Sequence, residues 1–382
     1  MSAHDLILDR IRTHGPLTVA DFMAIALYHP WAGYYSSVAH RTGRAGDFIT
    51  SVDVGPLFGA LLCQQFAEMW RMLRAADPAT EHFDLVEAAA ANGQLARDVL
   101  DAAETTDPEF YGAIQLHLVE ASPAGRAMHV ETLGRHAGKM TSSSATLPGA
   151  AHGVVFANEL LDALPVHAVV MTSNGLRECY VDAQDGRLVE RVGPLSNPGI
   201  KRHLESIGAR LAPGWRGEVN LAAVSWLTRA RALLHQGFLV LIDYGHPSAE
   251  LYSATHATGT LASYVSHVVE ERRDPHTPPW LAQPGHRDIT SHVDLTTVRT
   301  VLEGLGCRTL GILDQTYFLL ALAGDALAPS NATETAWDTK TRMALKTLVM
   351  PGGLGSTHKV MIFGADVGEP ALAGLSGPSR LT

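Results

Sequence analysis

The stretch FDLVEAAAANGQLARDVL, residues 83–100, decides the fold of this chain. It begins with a short apolar run that includes a carboxylate, Glu87, continues through small residues, and then predicts a helix from about 95 to 103. A strand, a small-residue loop and a helix are typical of the first half of a βαβ unit in a nucleotide-binding sheet. Ligands of such sheets bind outside the carboxyl ends of the strands, so Glu87 and the loop after it are candidate ligand-binding residues.

Apolar runs of the same kind recur along the chain. They lie at residues 114–122, 152–160, 237–245, 307–313 and 358–364, with a weaker strand near 139–141. The spacing of apolar residues predicts helices at 4–14, 16–29 and 53–73, and between most of the strands. Strands that alternate with helices predict βαβ units, and therefore an α/β fold with a mostly parallel sheet.

Three segments interrupt this alternation. Residues 165–192 contain three apolar runs separated by Asn-Gly and Asp-Gly turn dipeptides, which predicts antiparallel strands. Residues 194–233 are predicted to be helical, and residues 246–292 show little periodicity. Insertions after the carboxyl ends of strands usually build the substrate pocket of such a sheet, and we expect that role here.

The composition limits the classes of function. The chain has 382 residues, with 29 Lys and Arg against 39 Asp and Glu, which gives a net charge of −10. An acidic surface argues against nonspecific nucleic-acid binding and against docking on an anionic membrane, because both require a basic protein surface. No run approaches the ~18 apolar residues of a membrane span, so we expect no membrane insertion.

Cysteine and histidine usage further narrows the prediction. Cys63, Cys179 and Cys307 lie far apart without CxxC spacing, which excludes a disulfide scaffold and a cysteine-based zinc site. The opening segment has no apolar core of the signal-peptide type, so we expect a reducing, cytoplasmic location. The 19 histidines are scattered and form no HExxH motif, and we therefore predict no metal site.

Polar residues stand at the carboxyl ends of the predicted strands. Glu120 follows the second strand, and Asn158, Glu159 and Asp162 follow the third. A carboxylate at the end of the second strand commonly accepts hydrogen bonds from both hydroxyls of a ribose, so Glu120 is a candidate nucleoside ligand. The alternative is that Glu87 and Glu120 are simply solvated strand ends.

This arrangement suits either a dinucleotide or S-adenosylmethionine. The loop after the first strand has the pattern E-x-x-x-x-N-G, which is not the G-x-G-x-x-G of dinucleotide sites, and no phosphate-binding Arg or Lys follows it. The separation between Glu87 and Glu120 also exceeds the ~20 residues of the dinucleotide fingerprint. Both features favour S-adenosylmethionine.

Seven segments occur in an order that resembles one known family. They are GYY…GDFITS (33–51), LVEAAAANGQL (85–95), HLVEASP (117–123), ANELLDALPVH (157–167), LIDYG (241–245), RDITSHVDLT (287–296) and KTLVMPGGLGSTHKVMIFG (346–364). Together they resemble the MidA-like family of class I methyltransferases, and the match extends from about residue 4 to residue 364.

The resemblance implies a fold and a chemistry. The fold is a seven-stranded, Rossmann-like class I methyltransferase sheet with a helical N-terminal extension and an inserted substrate-binding region. The implied methyl donor is S-adenosyl-L-methionine. The implied acceptor is an arginine of a protein, such as a subunit of respiratory complex I.

The resemblance also gives the expected domain boundaries. Residues 1–75 are assigned to N-terminal helices and a loop that covers the donor. Residues 76–364 form the methyltransferase domain, with insertions at 165–235 and 246–292, and residues 365–382 form a flexible tail.

Eight residues are assigned to the donor site by the same resemblance. They are Gly46, Asp47, Glu87, Ala89, Ala91, Gly93, Glu120 and Asn158. Asp47 would accept a hydrogen bond from the donor's ammonium group, and a turn that leads into a helix is the alternative for its segment. Ala89 and Ala91 depart from the family pattern, which has glycine at both positions, and Val52-Asp53 stands where Pro-Glu is usual. A β-carbon in a left-handed backbone costs roughly 1–2 kcal/mol, so we expect weakened donor binding.

Three residues are candidates for the acceptor site: Glu159, Asp162 and His292. Glu159 and Asp162 lie three residues apart on a predicted first helical turn, where both carboxylates would face the donor's methyl group and pair with a guanidinium. The alternative is an acidic helix N-terminus, which the helix dipole favours. His292 would act as a general base or line the acceptor pocket, whereas Asp294 is favoured as a helix cap.

Two further functions stay open on the sequence alone. One is a small-molecule O- or N-methyltransferase with His292 as base. The other is a non-catalytic binding or assembly factor that has lost the cofactor. The replaced glycines favour either of them over a plain counterpart of the family's arginine methyltransferase. The expected partner is a protein or small-molecule acceptor, with no nucleic acid, and a homodimer is left open.

Overall fold

The computed structural model describes residues 1–36, 50–265, 268–269, 277–324 and 337–377. Its helices are α1 (Ala3–His14), α2 (Val19–Tyr28), α3 (Leu57–Ala76), α4 (Gln94–Thr106), α5 (Pro108–Ala113), α6 (Pro123–Leu133), α7 (Pro198–Ser206), α8 (Leu221–Leu233), α9 (Ser248–Leu251), α10 (Leu295–Gly304), α11 (Gln315–Ala323), α12 (Thr339–Val349) and α13 (Leu354–Thr357).

Its strands are β1 (Leu17–Thr18), β2 (Phe83–Ala88), β3 (Ile114–Val119), β4 (Met140–Ser144), β5 (Ala151–Asn158), β6 (His167–Thr172), β7 (Gly175–Gln184), β8 (Arg187–Gly193), β9 (Arg216–Val219), β10 (Leu234–His246), β11 (Ala262–Val265), β12 (Val268–Val269), β13 (Asp288–Thr290), β14 (Val293–Asp294), β15 (Arg308–Asp314) and β16 (His358–Ala365). None of the helices in the described ranges is both long and apolar enough to cross a membrane.

The larger sheet confirms the predicted α/β fold. Its strands run in the order β15-β16-β10-β5-β2-β3-β4, and β14 pairs with β10. Strands β4, β3, β2, β5 and β10 are parallel, whereas β16 is antiparallel to both of its neighbours. The expected count of seven strands is one short of the eight observed. The additional strand β14 is only two residues long and pairs with Gly245 and His246, and a pair of residues has no periodicity that a sequence could show.

Helices cover both faces of this sheet. Helices α3, α4 and α11 pack on one face, where the rings of Phe66 on α3 and Phe156 on β5 lie 5.0 Å apart. Helices α8 and α10 cover the other face with Leu227 and Val298, both almost fully buried. A strand buried on both sides is apolar along its length, which explains why the central strands stand out as continuous runs in the sequence.

A second sheet carries the N-terminal helices. Its strands have the order β1-β7-β6-β9, with β8 beside β7, and α1 and α2 pack against it through Ile7 and Phe22. The antiparallel strands predicted within 165–192 are present. Residues 194–233 are not wholly helical, because Arg216–Val219 pairs with β6 as a strand, where Arg216 also forms an ion pair with Glu190.

Two of the expected boundaries differ from the structure. Residues 1–75 are not one unit, because α1 and α2 belong to the second sheet while α3 lies in the core of the larger sheet. Residues 365–377, which were expected to belong to a flexible tail, are packed against the rest of the chain. Leu372 and Leu375 are buried against the larger sheet, and the Gly374 N–H donates to Gln65 Oε1 at 3.0 Å. Apolar side chains between the glycines and prolines hold this segment in place, since their burial is favourable.

Candidate active site

The candidate site lies where the order of the parallel strands reverses, between β2 and β5. The strands β2, β3, β5 and β10 all present their carboxyl ends at this edge. Open α/β sheets bind their ligands at such a reversal. The structure therefore brings together the predicted residues after β2, β3 and β5. Gly46 and Asp47 lie outside the described residues.

The loop after β2 has a left-handed backbone conformation, which alanine adopts only at a cost in free energy. The φ angles are 59° at Ala89, 47° at Ala91 and 87° at Gly93, so three residues of this loop are left-handed. Only glycine adopts such angles without strain, and each alanine carries a cost of roughly 1–2 kcal/mol. The expected left-handed backbone is thus found at both replaced glycines. Non-glycine residues in this region cluster at functional sites.

Glu120 is held in place by the backbone around it. Its Oε2 accepts a hydrogen bond from the Ala91 N–H at 2.8 Å, and its Oε1 accepts one from the Ser122 N–H at 2.6 Å. Burial raises the pKa of Glu120, and these hydrogen bonds partly oppose the rise. A carboxylate offers about four lone-pair positions, so Glu120 keeps acceptor capacity after both bonds.

Two residues that support this loop have no signal of their own in the sequence. The His129 ring lies with Nε2 3.0 Å from the Ala91 carbonyl and Nδ1 2.9 Å from Ser143 Oγ, and the residue is fully buried. A β-carbon on Gly125 would lie 2.7 Å from the Ala91 oxygen and 3.0 Å from Glu120 Cγ. Only the tertiary contact with the loop makes these two positions recognisable.

Glu87 is buried beneath the same loop. Its side chain is 4% exposed, and Oε2 has no hydrogen-bond partner among the described residues. Burial raises the pKa of Glu87 well above its usual value. The interpretation of Glu87 and Glu120 as solvated strand ends is therefore wrong, because both carboxyl groups are removed from water.

The segment after β5 is a turn and does not begin a helix. Glu159 has a left-handed backbone with φ 52°, and its N–H donates to the Ile242 carbonyl at 2.8 Å. Asp243 Oδ2 accepts hydrogen bonds from the N–H groups of Leu161 at 2.8 Å and Asp162 at 3.4 Å. The predicted helical turn at Glu159 and Asp162 is wrong, because the side chain of Asp243 on the adjacent strand captures these N–H groups. Asp243 thus shapes the turn after β5.

Glu159, Asp162 and His358 form a group of ionisable side chains, in which Asp162 and His358 are buried and Glu159 is partly exposed. His358 Nε2 lies 3.6 Å from Glu159 Oε1, and Asn158 Nδ2 donates to the same oxygen at 3.0 Å. Burial lowers the pKa of His358, but attraction by Glu159 and Asp162 outweighs burial and holds this pKa above its usual value. Burial raises the pKa of Asp162 to about 7, a hydrogen bond from Tyr244 opposes the rise, and the Glu159 charge adds to it.

The group leaves several polar atoms without partners. Asn158 Oδ1 and Asp162 Oδ1 are buried and accept no hydrogen bond in the described part of the chain. Burying an unpaired polar atom costs about 1–3 kcal/mol, so such atoms at the carboxyl ends of the strands indicate a ligand.

His292 lies beside this group but in a different environment. Its ring lies edge-on to Tyr244, at 5.6 Å between centroids, and Tyr244 is in turn 5.6 Å from His358. The Nδ1 atom of His292 is buried with no partner among the described residues. Asp294 accepts hydrogen bonds from the N–H groups of Thr296 and Thr297, which confirms it as the cap of α10.

Comparison with known proteins identifies relatives of this chain among methyltransferases. The Methyltransf_28 model, which describes S-adenosyl-L-methionine-dependent methyltransferases, matches residues 61–313. The fold is similar to that of a COG1565 superfamily member from Burkholderia thailandensis, crystallised with bound S-adenosyl-homocysteine. The TM-score is 0.83 and the identity 28%, over 98% of this chain and 94% of that chain.

Curated relatives include two proteins of the same name from animals. The Drosophila melanogaster protein, named protein arginine methyltransferase NDUFAF7 homolog, mitochondrial, is 28% identical over 346 residues, which is 83% of this chain and 74% of that protein. The human protein, named protein arginine methyltransferase NDUFAF7, mitochondrial, is 26% identical over 341 residues, which is 82% of this chain and 71% of that protein.

Proposed function

The chain belongs to the Methyltransf_28 family of S-adenosyl-L-methionine-dependent methyltransferases, and we propose that its acceptor is an arginine guanidinium of a protein. The observation that carries the proposal is the group formed by Glu159 and the buried Asp162 beside His358. Two carboxyl groups at the carboxyl end of β5 suit a cation better than a phenol or an acid. The curated relatives, whose names identify arginine methyltransferases, support the same class of acceptor.

The residues at the donor side fit S-adenosyl-L-methionine. The bound donor supplies a methyl group on a positively charged sulfonium sulfur. Glu120 is oriented by two backbone N–H groups and keeps lone pairs for the two hydroxyls of a ribose. The unpartnered Oε2 of Glu87 is a second buried polar atom of the same edge. Asn158, Ala89, Ala91 and Gly93 complete the proposed donor residues, and Gly46 and Asp47 stay predictions.

The chemistry assigned to this chain is orientation and proton transfer. Glu159 pairs with the planar fork of the guanidinium and places one nitrogen toward the donor side, as such forks bind carboxylates in two parallel hydrogen bonds. Alignment of the two reactants accounts for most of the rate enhancement in such a transfer. As the bond from this nitrogen to the methyl carbon forms, the bond from that carbon to the sulfonium sulfur would break and leave S-adenosyl-homocysteine, and the nitrogen would release one proton. Asp162, with a pKa of about 7, is suited to accept that proton near neutral pH.

Label transfer tests the proposed acceptor. The purified chain is incubated with S-adenosyl-L-methionine labelled in its methyl group and an extract of cells that lack this protein. Label is then followed in the protein and small-molecule fractions. We expect label in a protein, released as methylated arginine after acid hydrolysis. Label only in small molecules would instead establish the small-molecule methyltransferase. Absence of S-adenosyl-homocysteine binding in calorimetry would establish the non-catalytic factor.

The compartment, the oligomeric state and the identity of the acceptor protein stay predictions. The names of the relatives refer to mitochondria, and nothing in them supports the cytoplasmic location predicted for this chain. We propose a reducing compartment, because Cys63 and Cys307 are free and buried. The complex I subunit is likewise a proposal, which identification of the labelled protein would test.

A further inference from the structure

Three histidines that are distant in sequence meet at the end of β10. His246 ends β10, His256 lies in a short 3₁₀ helix after α9, and His292 lies between β13 and β14. Their ring centroids are 4.7, 5.2 and 5.8 Å apart. One ring nitrogen from each residue lies within 4.8 Å of the others, and no other group of three such side chains occurs in the described ranges.

Glu250 orients two of the three rings. His246 Nδ1 lies 3.0 Å from the Glu250 carboxylate, and His256 Nδ1 lies 3.0 Å from the Glu250 backbone carbonyl. Both rings therefore carry their hydrogen on Nδ1 and leave Nε2 with a lone pair. Metal-binding histidines typically donate their second N–H to a carboxylate or a backbone carbonyl in this way, which fixes the ring and increases its basicity.

The third ring supplies the second, independent observation. His292 Nδ1 is buried and has no hydrogen-bond partner in the described part of the chain. A buried ring nitrogen that has no hydrogen-bond partner is available to bind a metal ion.

We propose that His246, His256 and His292 bind one divalent transition-metal ion of the zinc type, with Glu250 as the residue that positions two of the ligands. Three imidazoles suit zinc and its neighbours, whereas magnesium and calcium require oxygen ligands. Zinc–nitrogen bonds of about 2.0–2.1 Å place tetrahedral ligand atoms ~3.3 Å apart, so binding draws the three rings together. Three protein ligands leave a fourth position for water or another small ligand.

The site connects parts of the chain that only the fold brings together. His246 ends strand β10 of the larger sheet, whereas His256 and His292 come from the segment that follows it. The ion would therefore fix the insertion to the end of β10, next to Tyr244 and the Glu159 group. The proposed metal site does not depend on the identity of the methyl acceptor, because the test measures metal binding directly.

Titration of the full chain with metal tests the site. The protein is stripped with a chelator and titrated with Zn²⁺ in calorimetry and with Co²⁺ in visible absorption. We expect one ion per chain, with a dissociation constant on the order of 1 µM or tighter, and a four-coordinate cobalt spectrum. His256→Asn should weaken binding about 100-fold or more, and Glu250→Gln about 10- to 100-fold. The matched control is His286→Asn, which changes an exposed histidine of the same insertion and should leave the affinity unchanged.

Circular dichroism and S-adenosyl-homocysteine affinity show whether each variant is folded. Failure of the folded wild type to bind one equivalent of either ion would overturn the proposal. Equal affinities of the wild type and folded His256→Asn would do the same. The cluster would then be three rings that only pack against one another.

Discussion

The proposed donor half of the site, around Glu120, and the proposed acceptor half, around Glu159 and Asp162, are built in different ways. The donor half comes from one βαβ unit, in which backbone N–H groups of Ala91 and Ser122 hold Glu120. The acceptor half is assembled from β5, β10 and β16, and it keeps Asp162 Oδ1 buried without a partner in the described part of the chain. The backbone contacts of Glu120 hold its carboxylate in place within its own βαβ unit. A buried acid such as Asp162, which lacks a partner at one oxygen, gains stability from a cationic ligand.

The largest expected effect is in the acceptor half. Glu159→Gln removes a partly buried charge with little change of shape, and we expect turnover to fall about 100-fold or more, as for loss of one oriented charge contact in an active site. Donor affinity should stay within about twofold, because Glu120 and the loop after β2 are untouched. Methyl transfer and calorimetry with S-adenosyl-homocysteine measure the two quantities.

Glu205→Gln, on the exposed face of α7, is the matched control and should preserve both quantities. Full turnover in Glu159→Gln would contradict the arginine proposal. A parallel loss of donor affinity would show that the two halves are not independent.

The next largest effect is in the donor half. Glu120→Ala removes the hydrogen bonds proposed for the ribose hydroxyls, each of which contributes roughly 1–1.5 kcal/mol, so donor affinity should fall about 10- to 100-fold. Turnover at saturating donor should largely recover, unlike that of the Glu159 variant. Calorimetry and the Michaelis constant for the donor measure the change. Glu131→Ala, exposed on α6, serves as control, and unchanged binding in Glu120→Ala would disprove the assignment.

The burial of Glu87 leads us to predict that the stability of the chain depends on pH. Burial raises the pKa of Glu87 in the folded chain well above 4.5, its value in the unfolded chain. The contribution of Glu87 to the free energy of unfolding is therefore complete below pH 4.5. It is lost as the pH rises from there toward the pKa of the folded chain. Glu87→Gln removes this loss. Between about pH 5 and about pH 6 its advantage in unfolding free energy over the wild type should grow by up to roughly 1.4 kcal/mol.

Urea denaturation at several pH values, without donor, measures this difference. An advantage of Glu87→Gln that is independent of pH would mean that Glu87 ionises normally in the folded chain. Glu131→Gln, at an exposed site, should show no dependence of this kind.

The smallest effect concerns the two alanines of the donor loop. Changing Ala89 and Ala91 together to glycine relieves strain at φ 59° and 47° and removes two β-carbons from the donor side. We expect tighter donor binding, by less than about tenfold, while stability changes by less than ~1 kcal/mol because glycine also favours the unfolded chain. Ala90→Gly is the matched control, since Ala90 is not left-handed. Weaker binding in the double variant would show that the pocket is adapted to both methyl groups.

The donor half could be predicted in detail because its information is local. An apolar run, a small-residue loop and a carboxylate at the end of the next run define a βαβ ligand site within about 40 residues, as βαβ geometry requires. The left-handed angles of Ala89 and Ala91 were expected for the same reason. His129 escaped this prediction, because its contact with the Ala91 carbonyl spans 38 residues and leaves no periodic signal.

The acceptor half shows where local reasoning fails. The spacing of Glu159 and Asp162 predicts a helical turn, but Asp243, some 80 residues later, binds the N–H groups that would begin it. His358 pairs with Glu159 from the last strand, and nothing in its own segment indicates this contact.

The sequence by itself determined the α/β class, most strands of the larger sheet and the methyltransferase family, and it predicts Glu120 as a donor ligand. Each of these depends on side-chain periodicity or on residues within one supersecondary unit, where neighbours in sequence are neighbours in space. Only the tertiary structure decided the burial of Glu87, the turn at Glu159, the partner of His358 and the meeting of His246, His256 and His292. These features depend on electrostatics and packing between distant segments, and such contacts are fixed by strand order and by loop paths, which no local pattern encodes.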